Sequence, residues 1–218
     1  MNVAALQQVF VNHADVIKKD TMQRYMKNHF VFLGIPKPKR AVLQKPFLNF
    51  HKNNHGIDWN LVNQLWDLEA REFQYVAIEY LILMKKHLSP EDLIYIKKII
   101  THKPWWDSID LIASHLLGAL VLNYPTVKIE LHSWNASNHL WLERSVILSQ
   151  LKCKQNTDLV FLEQVIIKHI GSKEFFINKA IGWALRELAK SNELVVKLWL
   201  SQYHFAPLTY KEATQYIN

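Results

Sequence analysis

Glycine and proline are scarce, at 5 and 7 of 218 residues, below their usual shares of roughly 7% and 5%. So few glycines cannot supply the tight hairpins of a β-sandwich or barrel. Neither GxGxxG nor a GxxxxGKS/T phosphate loop is present, so no glycine-rich cradle for a nucleotide is expected. Cys153 is the one cysteine, which excludes a disulfide framework and a cysteine zinc finger. It fits a reducing, intracellular compartment, with a cytoplasmic, nucleoid-associated location expected. Cys153 carries no local protease signature, and GxSxG is absent. No apolar run approaches 18 residues, the rough length needed to cross a bilayer. Residues 1–11 are amphipathic without the cationic start and apolar core of a signal peptide. The 11 histidines form no HExxH. His51 and His55 stand i,i+4, but a solvated loop edge explains them, and no metal or other cofactor is assigned.

Half of the residues are hydrophobic, enough for a chain of this size to bury roughly 70% of its unfolded surface. The net charge is +7 and the pI about 9.4, which suggests an acidic partner, most commonly nucleic acid. Helix starts recur along the chain. Ser89-Pro90-Glu91-Asp92 offers an N-cap, a proline at the first helical position and acids in the first turn. Thr209-Tyr210-Lys211-Glu212 reads as a capping box, and Pro38 and Pro104 sit where first turns would begin. Apolar residues recur at three and four, as in Val62, Leu65, Trp66 and Leu81, Met84, Leu88. About twelve short helices are expected, with turns near 34–38, 53–57, 101–104, 135–138, 154–157, 171 and 204–208. Trp106, Trp141 and Phe176 recur at 35 residues, the period of a HEAT-like or TPR-like α-solenoid. The expected architecture is an all-α helical-repeat superhelix forming a single domain over 1–218.

Three segments carry candidate chemistry. On the helix expected over 172–191, Ile177, Ile181, Ala184, Leu185 and Leu188 form an apolar stripe, while Lys179, Trp183, Arg186 and Lys190 cluster opposite. Cations beside an exposed indole suit phosphates and a flat apolar platform. The ordinary alternative is that Trp183 packs on a neighbouring helix and the cations are a solvated face. In the helix starting near Pro104, Trp105, Ile109, Ile112, Leu116 and Leu120 are the core stripe. Trp106 and Asp110 lie i,i+4 beside it and would present a ring face and a negative charge to a cation. The alternative for Asp110 is a surface acid near a helix N-terminus. Arg144 shares a stripe with Leu140, Ile147 and Leu151. It must therefore find an ion pair, with Glu143 or Asp107, or clamp a phosphate. The compactly basic loop 34–40 is read as a solvated turn.

Taken together, Arg24-Tyr25-Met26-Lys27-Asn28-His29-Phe30, Trp66-Asp67-Leu68, Arg71-Glu72-Phe73-Gln74, Trp105-Trp106-Asp107-Ser108-Ile109-Asp110, Trp141-Leu142-Glu143-Arg144, the stretch from Ser172 to Glu187, Pro207-Leu208-Thr209 and Lys211-Glu212-Ala213 resemble the AlkD-type DNA alkylpurine glycosylases. The resemblance spans nearly the whole chain in order. It implies a concave basic groove cradling duplex DNA and excision of cationic N3- and N7-alkylated purines without base flipping. It also implies Asp110 as the carboxylate, Trp106 and Trp183 as aromatic walls, Arg144 at a phosphate near the lesion, Tyr25 near the cleft and Arg186 as a groove cation. Lys179 and Lys190 join the expected DNA contacts. Double-stranded DNA bearing alkylated purines is the expected partner. A monomer needing no protein partner and no membrane is expected. The competing expectation is a non-catalytic helical-repeat binder of DNA or protein. The catalytic expectation carries a structural condition: Asp110 must face the groove and not be locked in a pair with Arg144.

Overall fold

The computed structural model describes residues 2–217. Contacts gather the chain into two compact units, Met1–His87 and Leu88–Asn218. No strand occurs among the described residues. The protein is all-α. Counting the continuous run 106–123 once gives thirteen α-helices among the described residues, close to the twelve expected.

The second unit is built from helix pairs. The first helices are Leu93–Thr101, Val127–Asn135, Leu159–Ile167 and Glu193–Gln202. The second helices begin at Trp106, Leu140, Phe175 and Pro207, so each set repeats every 32–35 residues. Successive second helices pack on one another in chain order, the stacking that a degenerate helical repeat uses to bury one continuous core. Their apolar stripes fall where periodicity put them. Ile109, Ile112, Leu116 and Leu120 are fully buried, as are Ile177, Ile181, Leu185 and Leu188 to within a few per cent. Each such side chain contributes about 1.5–3 kcal/mol by leaving water. The 35-residue aromatic repeat is corrected by one residue at its first member. The rings that converge are Trp105, Trp141 and Phe176, with centroids 5.0–5.4 Å apart. Trp105 is the N-cap of its helix and turns inward, while Trp106 opens the helix and is half-buried.

The Ser89 start is as expected. The Asp92 carboxylate accepts from the Ser89 N–H at 2.8 Å and from its hydroxyl at 3.2 Å, with Pro90 opening a short 3-10 turn ahead of Leu93–Thr101. The Thr209 capping box is overturned. The helix starts three residues earlier than a Thr209 N-cap would set it, at Pro207, where proline's missing N–H costs nothing. Thr209 is buried inside it and donates its hydroxyl to the Asn178 carbonyl at 2.9 Å. Gly182 allows this docking, because a Cβ there would stand 2.5 Å from the Glu212 Cβ.

The first unit holds Val3–Val11, Val16–Tyr25, Lys37–His51, Trp59–Asp67 and Arg71–Met84. Its loop at 33–35 is fastened by Glu72, whose carboxylate accepts the backbone N–H groups of Leu33, Gly34 and Ile35 at 3.0–3.1 Å. Gly34 turns there with φ +82°, and a side chain would collide with the Asp15 carbonyl. The basic stretch 34–40 is a turn only as far as Pro36, since Lys37–Arg40 open the third helix; Lys37 and Lys39 are solvated as expected, and Arg40 is not. Arg40 is buried, pairs with Glu79 at 3.1 Å and lies over the Tyr75 ring. Gln74 donates to the carbonyls of Trp66 and Leu68, tying two helices at their corner. No helix among the described residues is long and apolar enough to cross a membrane.

Candidate functional site

Asp110, Arg144 and Lys179 are each the fifth residue of successive second helices, those starting at Trp106, Leu140 and Phe175. Equivalent positions in stacked repeats point the same way, so the register alone brings these three together. In the fourth second helix, Pro207–Ala213, the fifth and sixth residues are Lys211 and Glu212.

Arg144 forks onto Asp110. Its Nε donates to Oδ1 at 2.9 Å and its Nη2 to Oδ2 at 3.0 Å, while Nη1 donates to the Phe176 carbonyl. The Arg144 side chain is 2% exposed. The expected ion pair of Arg144 forms, but its acid is neither Glu143 nor Asp107. It is Asp110, and the donors of this almost wholly buried guanidinium are spent on it and on the Phe176 carbonyl. A buried guanidinium needs its charge matched and its N–H groups satisfied, and the repeat register offers Asp110 for both.

The condition placed on Asp110 is met only in part. It is paired with Arg144, yet 19% of its side chain remains exposed. A carboxylate has about four lone-pair positions and a bidentate arginine takes two, so the outward lone pairs stay available. Burial pushes the Asp110 carboxyl above its usual range, against the Arg144 hydrogen bonds and charge, which pull it down, and with a small upward push from Asp107. The fork is nonetheless the geometry of an ionised acid, since a protonated one would lose an acceptor. The helix leaves α geometry at the next turn, where Ile112–Leu117 is π-helical, and the Ser114 hydroxyl donates to the Asp110 carbonyl at 2.7 Å. Such π turns frequently accompany functional positions.

Trp183 also meets Arg144, with the guanidinium carbon 5.4 Å from the ring centroid. Lys179 and Arg186 lie 5.8 and 5.7 Å from the same ring. The tryptophan among cations is thus real, but the cations are not free. Glu212 accepts from Lys179 at 2.5 Å, from Arg186 at 3.1 Å and from the Trp183 indole N–H at 3.0 Å. The Lys179 hydrogen bond leads in holding the Glu212 carboxyl below its usual range. Lys190 pairs with Glu187 and sits 4.8 Å from the Tyr216 ring centre. Trp106 opens the helix that carries Asp110. Tyr25 belongs to the first unit, where it is 70% exposed at the end of a helix with no buried residue. Glu212 had no functional role in the sequence reading. The signal that could have found it was the register of the repeat, which sets Glu212 beside the position equivalent to Asp110, Arg144 and Lys179.

Among the described residues no group of three His, Cys, Asp or Glu side chains could hold a metal. Cys153 is buried and its thiol is pushed up to about 11, so it stays protonated at neutral pH. A cavity of about 140 Å³ lies beside Leu151, Thr157, Ala184 and Leu188, lined by none of Asp110, Arg144 or Trp183.

None of the curated proteins matches this chain. Among solved structures, one described as a predicted DNA alkylation repair enzyme from Enterococcus faecalis superposes with a TM-score of 0.85 at 31% identity, covering 94% of this chain and 96% of that one. The model of the DNA alkylation repair enzyme family matches residues 6–217. A match over nearly the full length, with the same helical fold, means that this chain belongs to the DNA alkylation repair enzyme family.

Proposed function

We propose that the protein is a DNA glycosylase that hydrolyses the N-glycosidic bond of cationic N3- and N7-alkylated purines in duplex DNA. The observation that carries this reading is Asp110, a partly exposed carboxylate fixed by a bidentate arginine that itself lies against the face of Trp183. Alkylation at N3 or N7 leaves the purine positively charged, so it departs without a strong general acid. The C1′–N bond breaks with its electron pair passing to the purine, which becomes neutral. The sugar is left as an oxocarbenium-like cation. Asp110 opposes that charge with its outward lone pairs, and Trp106 and Trp183 offer π faces to it. Water adds at C1′ and gives its proton to Asp110 or to solvent. An elevated carboxyl pKa makes Asp110 a better proton acceptor than an ordinary aspartate.

In this reading Arg144 orients the acid and does not hold DNA. Lys179, Arg186, Lys190 and Tyr25 are the proposed contacts to the duplex. The candidate residues lie along helix faces and not around a closed pocket, which suits action on a lesion left in the stack. Neutral lesions such as uracil are then poor substrates, because no charge weakens their bond.

The test is incubation of methylated duplex DNA with the protein, followed by chromatography of released bases. Free 3-methyladenine or 7-methylguanine, lost in Asp110→Asn, is the expected result. DNA that is bound with all its methylpurines retained would overturn the reading. It would favour instead a non-catalytic binder in which the Asp110–Arg144 pair serves only to hold two repeats together.

A further inference from the structure

Trp183 cannot hold its own orientation. It lies on the face of the Phe175–Ala189 helix opposite the Ile177, Ile181, Leu185 and Leu188 stripe and is only half-buried. An indole in that setting turns about two side-chain dihedrals unless something fixes its N–H end. That fixture comes from another element. Glu212, on the Pro207–Ala213 helix, accepts the indole N–H on Oε2 at 3.0 Å and also accepts from Lys179 and Arg186. Glu212 is itself closely packed. Its side chain is 8% exposed, and its helix is locked to the Trp183 helix through the Gly182 close approach and the Thr209 hydrogen bond to Asn178. The Trp183 ring also meets Arg144, which holds Asp110. A continuous series of contacts therefore runs from Glu212 through Trp183 and Arg144 to the acid.

We propose that Glu212 is a positioning residue: through the indole N–H it fixes the face that Trp183 turns toward the Arg144–Asp110 pair, and the C-terminal helix is part of the site because it delivers this carboxylate. The inference rests on the reading of Trp183 as a wall of the excision site. A misplacement of about 1 Å in such a wall can cost up to about a hundredfold in rate.

The test compares Glu212→Gln, Glu212→Ala and Trp183→Phe, together with the Glu212→Gln/Trp183→Phe and Glu212→Ala/Trp183→Phe double variants, in the full chain. Single-turnover release of 7-methylguanine and the Trp183 emission are measured, the latter as the difference between each Glu212 background with and without Trp183. Gln keeps an acceptor for the indole and removes the charge. It should keep release within about threefold of wild type and leave the Trp183 emission in place. Ala should lower release by ten- to a hundredfold, shift the emission, and add nothing further when Trp183 is already Phe. Glu212→Gln as slow as Glu212→Ala, or effects of Glu212→Ala and Trp183→Phe that multiply, would overturn the proposal. Should the wild-type protein release no methylpurine, the glycosylase reading fails, but the emission still decides on positioning. A Trp183 signal identical in wild type and Glu212→Ala refutes it, and one shifted in Ala but not in Gln upholds it.

Discussion

Glu72 and Glu212 are both carboxylates taken almost wholly out of water, one in each unit, and they are satisfied in different ways. Glu72 takes three backbone N–H groups from one loop. Glu212 takes two cations and an indole, all side chains of one helix. Backbone donors have nowhere else to go, so the Glu72 arrangement is architecture. Side-chain cations can exchange a carboxylate for a phosphate, so under the proposed function the Glu212 arrangement is one that DNA could open. Asp110 stands between the two cases, held by a side chain that is itself buried yet keeping an open edge.

Substitution separates these carboxylates, most strongly at Asp110. Asp110→Asn keeps the shape and one acceptor but removes the charge that opposes the oxocarbenium. Loss of a preorganised group of this kind costs about 10²–10³ in rate. We expect single-turnover excision to fall by that factor while affinity for unmodified duplex stays within about twofold. A variant that loses binding and excision together would place Asp110 with Glu72, as architecture.

Glu72→Ala should do the reverse. It leaves three N–H groups without their acceptor in a buried corner, at about 1–3 kcal/mol each. A loss of about 3 kcal/mol or more in unfolding free energy is expected from denaturant titration. Excision per folded molecule should be unchanged. Rate loss in a fully folded sample would mean that the first unit's loop acts on the chemistry and that the division drawn above is false.

The acid side of the stability curve sharpens the contrast. The Glu212 carboxyl titrates below its ordinary value of 4.5, led by its Lys179 hydrogen bond. Its contribution is therefore complete above pH 4.5 and is lost as pH falls through the lower, folded value. The Asp110 carboxyl is raised above 3.8 by burial. Its folded form holds a proton more readily than the unfolded form, so stability falls as pH rises from 3.8 to its raised value. Melting temperatures across this range should lose an acid-side decline in Glu212→Gln, and lose the opposing slope in Asp110→Asn. Equal profiles for both variants would contradict the opposite signs.

Much of this was legible before any coordinates. The stripes through Ile109–Leu120 and Ile177–Leu188 follow from a 3.6-residue period, which one segment can reveal by itself. The cluster of Trp183 with its cations was visible for the same reason. The partners were not. The Arg144 acid is 34 residues away and the Glu212 cations 26 and 33 away. Choosing Asp110 over the adjacent Glu143, or over Asp107 on the same helix, requires knowing which turn of each helix faces its neighbour. The Thr209-x-x-Glu212 pattern misled because Pro207 opens the helix earlier, which buries Thr209 and frees Glu212 for the preceding repeat. Trp105 was placed in the core stripe from periodicity. That it, and not Trp106, meets Trp141 and Phe176 depended on the N-cap turning the chain.

The smallest expected effect separates the two lysines of the Trp183 helix. Lys179 is tied to buried Glu212, whereas Lys190 is 44% exposed and pairs with the part-exposed Glu187 one turn away. Exposed pairs of that kind contribute about 0–1 kcal/mol, so Lys190→Ala should leave the melting temperature almost unmoved. If Lys190 meets a phosphate, its loss weakens binding equally across sequences and lowers the slope of log K against log salt by about 0.9. Lys179→Ala should lower the slope by the same amount, but only where DNA displaces Glu212. Filter binding over a salt series reads both. A slope reduced by Lys190→Ala alone would mean that Glu212 keeps its cations when DNA is bound, making its pairing as permanent as that of Glu72. A slope reduced by Lys179→Ala would mean that the carboxylate yields them, and that the two buried glutamates differ in function as well as in partners.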